Sequence, residues 1–260
     1  MELGLTGRRA VVTGGSKGIG LAVATELVRE GAAVAICARD ADEIAAAAKQ
    51  LRELGGSVHE QVADVTVPEQ VTAFVDAAAD ALGGIDILVN NAGGAHPGTF
   101  ETLSDEDWHG DLDVKLFSQI RCTRAALPHL RRSAAPRVIN INAVYAKYPD
   151  PRFFATTVNR AACLNLNKAL AIEYGPEGIL VNSVNIGFVV TPQWENIRRK
   201  RAPELSQEEF FATLAAEEVP LGRFGDAAEV SGLVAFLASD RASYLTGTSI
   251  DVAGGMGTYV

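Results

Sequence analysis

Cysteine is scarce in this chain, and the three present, Cys37, Cys122 and Cys163, are scattered without CxxC spacing. A disulfide scaffold and a thiol-ligated metal are both disfavoured by that pattern, and reduced thiols and no bound metal are expected. Long apolar runs are missing too: none approaches the ~20 residues of a membrane-spanning helix. The opening Met1-Glu2-Leu3-Gly4-Leu5 has neither the basic region nor the apolar stretch of a signal peptide. A cytoplasmic protein with no membrane partner is expected. Basic excess is absent as well: the net charge is −9, which argues against nucleic acid as a partner. What the chain has is 48% hydrophobic residues over 260 positions, enough for one sizeable α/β core.

Short apolar runs alternate with Ala-rich helical stretches. Strands are expected over Arg9–Thr13, Ala33–Ala38, Ser57–Val62, Ile85–Asn90, Arg137–Asn142, Ile179–Val184 and Thr248–Val252. Helices such as Ala41–Leu54 and Pro68–Leu82 lie between them. This alternation predicts a parallel sheet covered on both faces. Residues 191–220 break the pattern with two polar helical pieces, Trp194–Arg201 and Ser206–Glu218. Placed after a strand that opens onto the ligand crevice, they predict a helical lid over a substrate.

Between the first strand and first helix stands Thr13-Gly14-Gly15-Ser16-Lys17-Gly18-Ile19-Gly20. Glycines at such a corner let the backbone approach a ligand, and the following helix N-terminus favours an anion, as in dinucleotide sites. The second strand runs into Arg39 rather than an acid, and Lys17 adds a second cation. Both suit a 2′-phosphate and so NADP(H). Asp40 keeps NAD(H) possible, since it could accept ribose hydroxyls.

Further motifs follow in order: Asp64-Val65, Asn90-Asn91-Ala92-Gly93, Pro220-Leu221-Gly222-Arg223-Phe224-Gly225, Tyr244-Leu245-Thr246-Gly247 and Gly254-Gly255-Met256. With the Gly14/Gly18/Gly20 spacing, they resemble the short-chain dehydrogenase/reductase family over nearly the whole chain. The resemblance implies a single-domain Rossmann fold over 1–260, a seven-stranded parallel sheet and a nicotinamide cofactor. It also implies a homotetramer or homodimer, with 111–132 and 154–174 as the paired interface helices. By position, Gly14, Ser16, Lys17, Gly18, Ile19 and Gly20 would cradle the pyrophosphate, Asp64 and Val65 the adenine. Asn91, Ala92 and Gly93 would line the adenosine side, with Gly187 and Thr191 near the nicotinamide.

The family's catalytic Asn, Ser, Tyr and Lys are all replaced: Lys115, Ala143, Thr156 and Arg160 hold those positions. Arg160 could still hold ribose hydroxyls. Thr156 cannot ionise as a phenol does, and Ala143 offers no hydrogen bond. Lys115, if desolvated, could act as acid or base, or simply pair with Asp111 or Asp113. Tyr145 is a second surrogate donor or an aromatic wall. Ile186, before Gly187, stands where the family usually has Pro. His96-Pro97 and Phe153-Phe154 suggest apolar substrate walls, and Arg198-Arg199-Lys200-Arg201 a phosphate or carboxylate contact or a solvated face. An NADP(H) oxidoreductase on a small carbonyl or alcohol is the leading expectation. A silent subunit of a hetero-oligomer and a redox-neutral isomerase, dehydratase or lyase are the alternatives.

Overall fold

A computed structural model describes residues 2–257; the ends of the expected 1–260 domain lie outside them. One parallel sheet runs through it in the order β3-β2-β1-β4-β5-β6-β7. Its strands are β1 (Arg9–Thr13), β2 (Ala33–Ala38), β3 (Val58–Val62), β4 (Ile87–Asn90), β5 (Arg137–Ala143), β6 (Leu180–Ile186) and β7 (Ser249–Val252). Helices α1 (Gly18–Arg29), α2 (Ala41–Glu53), α3 (Pro68–Leu82), α4 (Asp105–Leu112) and α5 (Ser118–Leu130) connect the first five strands. Helices α6 (Phe154–Tyr174), α7 (Pro192–Arg201), α8 (Gln207–Glu218) and α9 (Ala227–Ala238) complete the chain. The expected strands therefore form, with ends shifted by one or two residues. None of the described helices is long and apolar enough to cross a membrane.

The period of two divides the strands between two cores. Ala10, Val12, Val34, Ile36, Ile139 and Ile141 pack on the α1–α9 side. Val11, Ala35, Cys37, Leu88 and Val138 pack on the α3–α5 side. On β5 the alternate positions Asn140 and Asn142 are polar and buried, which a strand tolerates only when they are paired. Asn140 Nδ2 donates to Asn167 Oδ1 at 3.0 Å and Asn142 Nδ2 to the Arg160 carbonyl at 3.1 Å. These bonds pin α6 to the sheet at the turn that carries Arg160.

The long helix expected over 111–132 forms within one unbroken helical run: α4 passes into a π-helical turn at Asp113–Phe117 and on into α5, which ends at Leu130. The wider turn brings Lys115 inward, so that it is buried. The polar insertion forms α7 and α8, the latter opened by a Ser206/Glu209 capping box. A third apolar cluster, including Phe188, Phe210, Phe211 and Phe224, fastens these helices to the ends of β5 and β6.

Candidate active site

A cleft of about 1060 Å³ opens at the C-terminal ends of the strands. The residues assigned to the cofactor and to catalysis line it: Gly14, Ser16, Lys17, Gly18, Ile19, Gly20, Arg39, Asp64, Val65, Asn91, Ala92, Gly93, Lys115, Tyr145, Thr156, Arg160, Gly187 and Thr191. Of the suggested substrate contacts, His96 and Phe153 do, and Pro97, Phe154, Arg198, Arg199, Lys200 and Arg201 do not.

The glycine corner is built for close approach. Gly14 and Gly18 sit at φ +66° and +56°, where other residues are strained. A Cβ on Gly20 would lie 2.1 Å from the Gly14 carbonyl oxygen and 2.5 Å from Asn91 Nδ2. Helix α1 begins there without a side-chain cap or an acid in its first turn, so its amides remain oriented toward an anion in the cleft. Asn91, which lines the cleft, also braces the corner: its Nδ2 donates to the Thr13 and Gly14 carbonyls at 2.9 and 3.1 Å and so ties β4 to the glycine loop.

Past β2, Asp40 is occupied: its Oδ1 caps α2 by accepting from Glu43 N at 2.9 Å. The cap engages one carboxylate oxygen, and the other can still accept from a ribose hydroxyl. Lys17 pairs with Glu43 at 2.6 Å across the rim, and Arg39 is exposed beside them. Burial pushes the Asp64 carboxyl up, but bonds from Thr66 N and Oγ1 and the nearby Arg39 charge outweigh it and hold it low. This end of the cleft fits a nicotinamide dinucleotide with a 2′-phosphate: glycine cradle, uncapped helix and a guanidinium where an acid would otherwise stand.

The deep end is a buried ionic cluster. Lys115 Nζ donates to Asp111 Oδ1, and both side chains are almost fully buried. Asp111 also accepts from Thr156 Oγ1 at 3.2 Å and Asn159 Nδ2 at 2.9 Å. Burial, then the Arg160 charge, pulls Lys115 down to about 8 against the opposing pull of Asp111. Thr156 is fully engaged, since its oxygen also accepts from His96 N at 3.3 Å. It orients Asp111 and has no proton free for a substrate. Arg160 Nη1 donates to the Ile141 carbonyl at 2.9 Å, and its buried Nε has no hydrogen-bond partner. Asp111, named from the sequence with Asp113 as a possible partner of Lys115, is the one that pairs with it, and Asn159 was the member that sequence reasoning missed. The i,i+4 spacing of Asp111 and Lys115 was the signal for the pair, diluted by four neighbouring acids, Asp105, Glu106, Asp107 and Asp113.

Tyr145 lies in a 3₁₀ turn after β5 and stacks on Phe153, ring centroids 5.6 Å apart. Burial, then the Asp150 and Glu218 carboxylates, push its phenol far above the usual range. Such a phenol is a weak acid, and the ring acts as wall. The basic run of α7 turns out to be partly neutralised, with Arg198 and Arg199 both on Glu195 at 2.8 and 3.0 Å.

Comparison with known proteins agrees with this geometry. The enoyl-(acyl carrier protein) reductase family model matches residues 14–257. Oxidoreductase UcpA of Escherichia coli is 38% identical over 96% of this chain and 95% of its own. An NADPH-bound short chain oxidoreductase of Pseudomonas aeruginosa PAO1, described as containing an atypical catalytic center, is 40% identical with a TM-score of 0.90, covering 96% of this chain and 97% of its own. L-Sorbose reductase of Gluconobacter frateurii, in complex with NADPH and L-sorbose, has a TM-score of 0.96 at 33% identity over the whole of both chains. The chain belongs to the short-chain dehydrogenase/reductase family.

Proposed function

We propose that this chain is an NADP(H)-dependent oxidoreductase of a small carbonyl or alcohol, in which Lys115 supplies the proton. The observation that carries the reading is the joining, in one cleft, of an intact dinucleotide cradle to a buried lysine held near pKa 8. The NADPH held by two relatives on the same fold supports the cofactor assignment. In it, Arg39 and Lys17 would meet the 2′-phosphate, the α1 amides the pyrophosphate and Arg160 Nε the ribose.

When bound, the reduced cofactor supplies a hydride. The rest of the chemistry belongs to the chain. The protonated Lys115 ammonium hydrogen-bonds a carbonyl oxygen and transfers its proton as negative charge develops there. Asp111 holds the ammonium in place, Thr156 and Asn159 hold Asp111, and the His96 amide in turn holds Thr156. A general acid is most effective with a pKa near the working pH, which Lys115 meets and Tyr145 does not. The α7–α8 insertion serves as a lid that keeps water from the reacting carbonyl.

The test is NADPH oxidation by the purified chain across a ketone panel, with Lys115→Met alongside. Turnover that survives unchanged in Lys115→Met removes the lysine from the mechanism. A second reading, assembly through the α5–α6 face with itself or a sister chain, is favoured by exposed apolar side chains there. Phe117, Val158 and Ile172 are 42%, 47% and 68% exposed. Light scattering that finds only a monomer of 27.4 kDa would exclude self-assembly.

A further inference from the structure

Beyond Lys115, the cleft is walled by rings. Tyr145, after β5, lies nearly parallel to Phe153 at an interplanar angle of 21°. Phe188, after β6, meets the edge of Trp194 on α7 with centroids 4.7 Å apart. All four line the cleft, and Val144, Val189 and Met256 fill the spaces between them. A second row braces this wall: Phe188 stacks on Phe224 at 5.0 Å, and Phe224 on Phe211 at 4.3 Å. From the end of α7, the Arg201 guanidinium lies over the outer Phe153 ring at 5.8 Å. The rings are therefore held in place before any ligand arrives.

The charges at this end are already engaged. Lys115 is on Asp111, and His96 Nε2 is 3.1 Å from Asp107. The Gln193 amide oxygen accepts from Ala95 N at 3.2 Å. With Arg160 Nε given to the ribose in the reading above, a substrate carboxylate would lose its water here without gaining a further free cation, and a polyol would find the Tyr145 hydroxyl but mostly carbon around it. A flat π-system gains on both counts, because it buries apolar area and meets neighbouring rings edge-on or offset.

We infer that this half of the cleft takes an uncharged ketone bearing a one- or two-ring aromatic system. The ring sits among Tyr145, Phe153, Phe188 and Trp194, with the carbonyl oxygen at Lys115. The inference rests on the oxidoreductase reading and gives its substrate class. The carbonyl carbon gains a hydride from the reduced nicotinamide and the oxygen a proton from Lys115, leaving a secondary alcohol and the oxidised nicotinamide.

Calorimetric titration of the chain, free and saturated with NADP⁺, tests it with α-tetralone, its saturated analogue α-decalone, phenylpyruvate and L-sorbose. NADPH oxidation is followed in parallel. α-Tetralone is expected to bind about tenfold more tightly than α-decalone, the effect of one or two ring contacts, with phenylpyruvate and sorbose weaker still. The preference should fall below about threefold in both Trp194→Leu and Phe153→Leu, only the first of which lies in the insertion, and persist in Tyr145→Phe. Equal affinity for tetralone and decalone, tighter binding of phenylpyruvate or sorbose, or no ketone binding at all would overturn the inference. Selective tetralone binding without reduction would uphold the ring site and remove the hydride-transfer reading instead.

Discussion

At the glycine end of the cleft, the surface offered to a ligand is mostly backbone. At the Lys115 end it is almost wholly side chain. The first end depends on what is absent: no Cβ at Gly14, Gly18 or Gly20, and no cap on α1. The second depends on what has been placed there, a lysine, an aspartate, an arginine and four aromatic rings. A site made of backbone has one workable arrangement, so a substitution there acts on the fold and the cofactor together. A site made of side chains can be rewritten position by position while the sheet that carries it stays the same. That is how a chain with a glycine-lined dinucleotide cradle can carry a side-chain cluster of its own at the other end of the cleft.

The most damaging way to break the contrast is at the backbone end. Gly20→Ala would place a methyl group 2.1 Å from a carbonyl oxygen that cannot move away without distorting the loop. The cost should exceed the ~1–3 kcal/mol typical of overpacking. Calorimetry should find NADPH binding lost or weakened by more than about 100-fold, with a lower melting temperature; native-like affinity would mean that the corner is more pliant than its geometry implies. At the side-chain end, Lys115→Met should lower kcat for ketone reduction by about 10²–10⁴-fold while NADPH affinity stays within about threefold. A parallel loss of both would show that the two ends are not separable.

Acidity sharpens the comparison. Only protonated Lys115 can donate, so reduction should slow as pH rises through about 8. In Asp111→Asn, the group that raises the lysine is gone, and the falling limb should move to lower pH. The same depression has a stability consequence. Between about 8 and the ordinary lysine value of 10.5, the unfolded chain keeps a proton that the folded chain has lost. Unfolding free energy should therefore rise with pH in that window relative to Lys115→Met, readable in denaturant melts. A limb that stays put in both variants would point to a donor other than Lys115.

Smaller effects belong to the rim. Arg39→Asp should weaken NADPH by roughly 10–100-fold, the worth of a charge-assisted bond to phosphate, and favour NADH in a competitive titration. Glu43→Gln releases Lys17 from an exposed pair worth about 0–1 kcal/mol, so NADPH should bind up to about fivefold more tightly. No change would show that Lys17 does not reach the phosphate.

The parallel sheet, the glycine corner and the two insertion helices were legible because their signals are local. Period-two apolar runs, helical periods and a Gly-rich turn each act within a few residues. The role of Asp40 as an N-cap three residues before Glu43 was also local, and it engages only one of the two carboxylate oxygens. The π-turn at Asp113–Phe117 was not legible, since nothing in Asp-Val-Lys-Leu-Phe distinguishes it from ordinary helix. Asn91 was placed at the cleft by its position in the motif; that it also braces the loop shows only in its distance to the Thr13 and Gly14 carbonyls.

By itself, then, the sequence determined the fold and the position of the cofactor cradle. These follow from backbone permissiveness and burial periodicity, which neighbouring residues settle among themselves. The tertiary structure decided which of the remaining polar residues matter. Asp111, Lys115, Thr156, Asn159 and Arg160 come from two helices 40 or more residues apart in sequence, and they meet only where the π-turn faces α6. A lysine's acidity is set by the water it loses and the charges around it. Both are properties of the packed site, not of the five residues on either side of it.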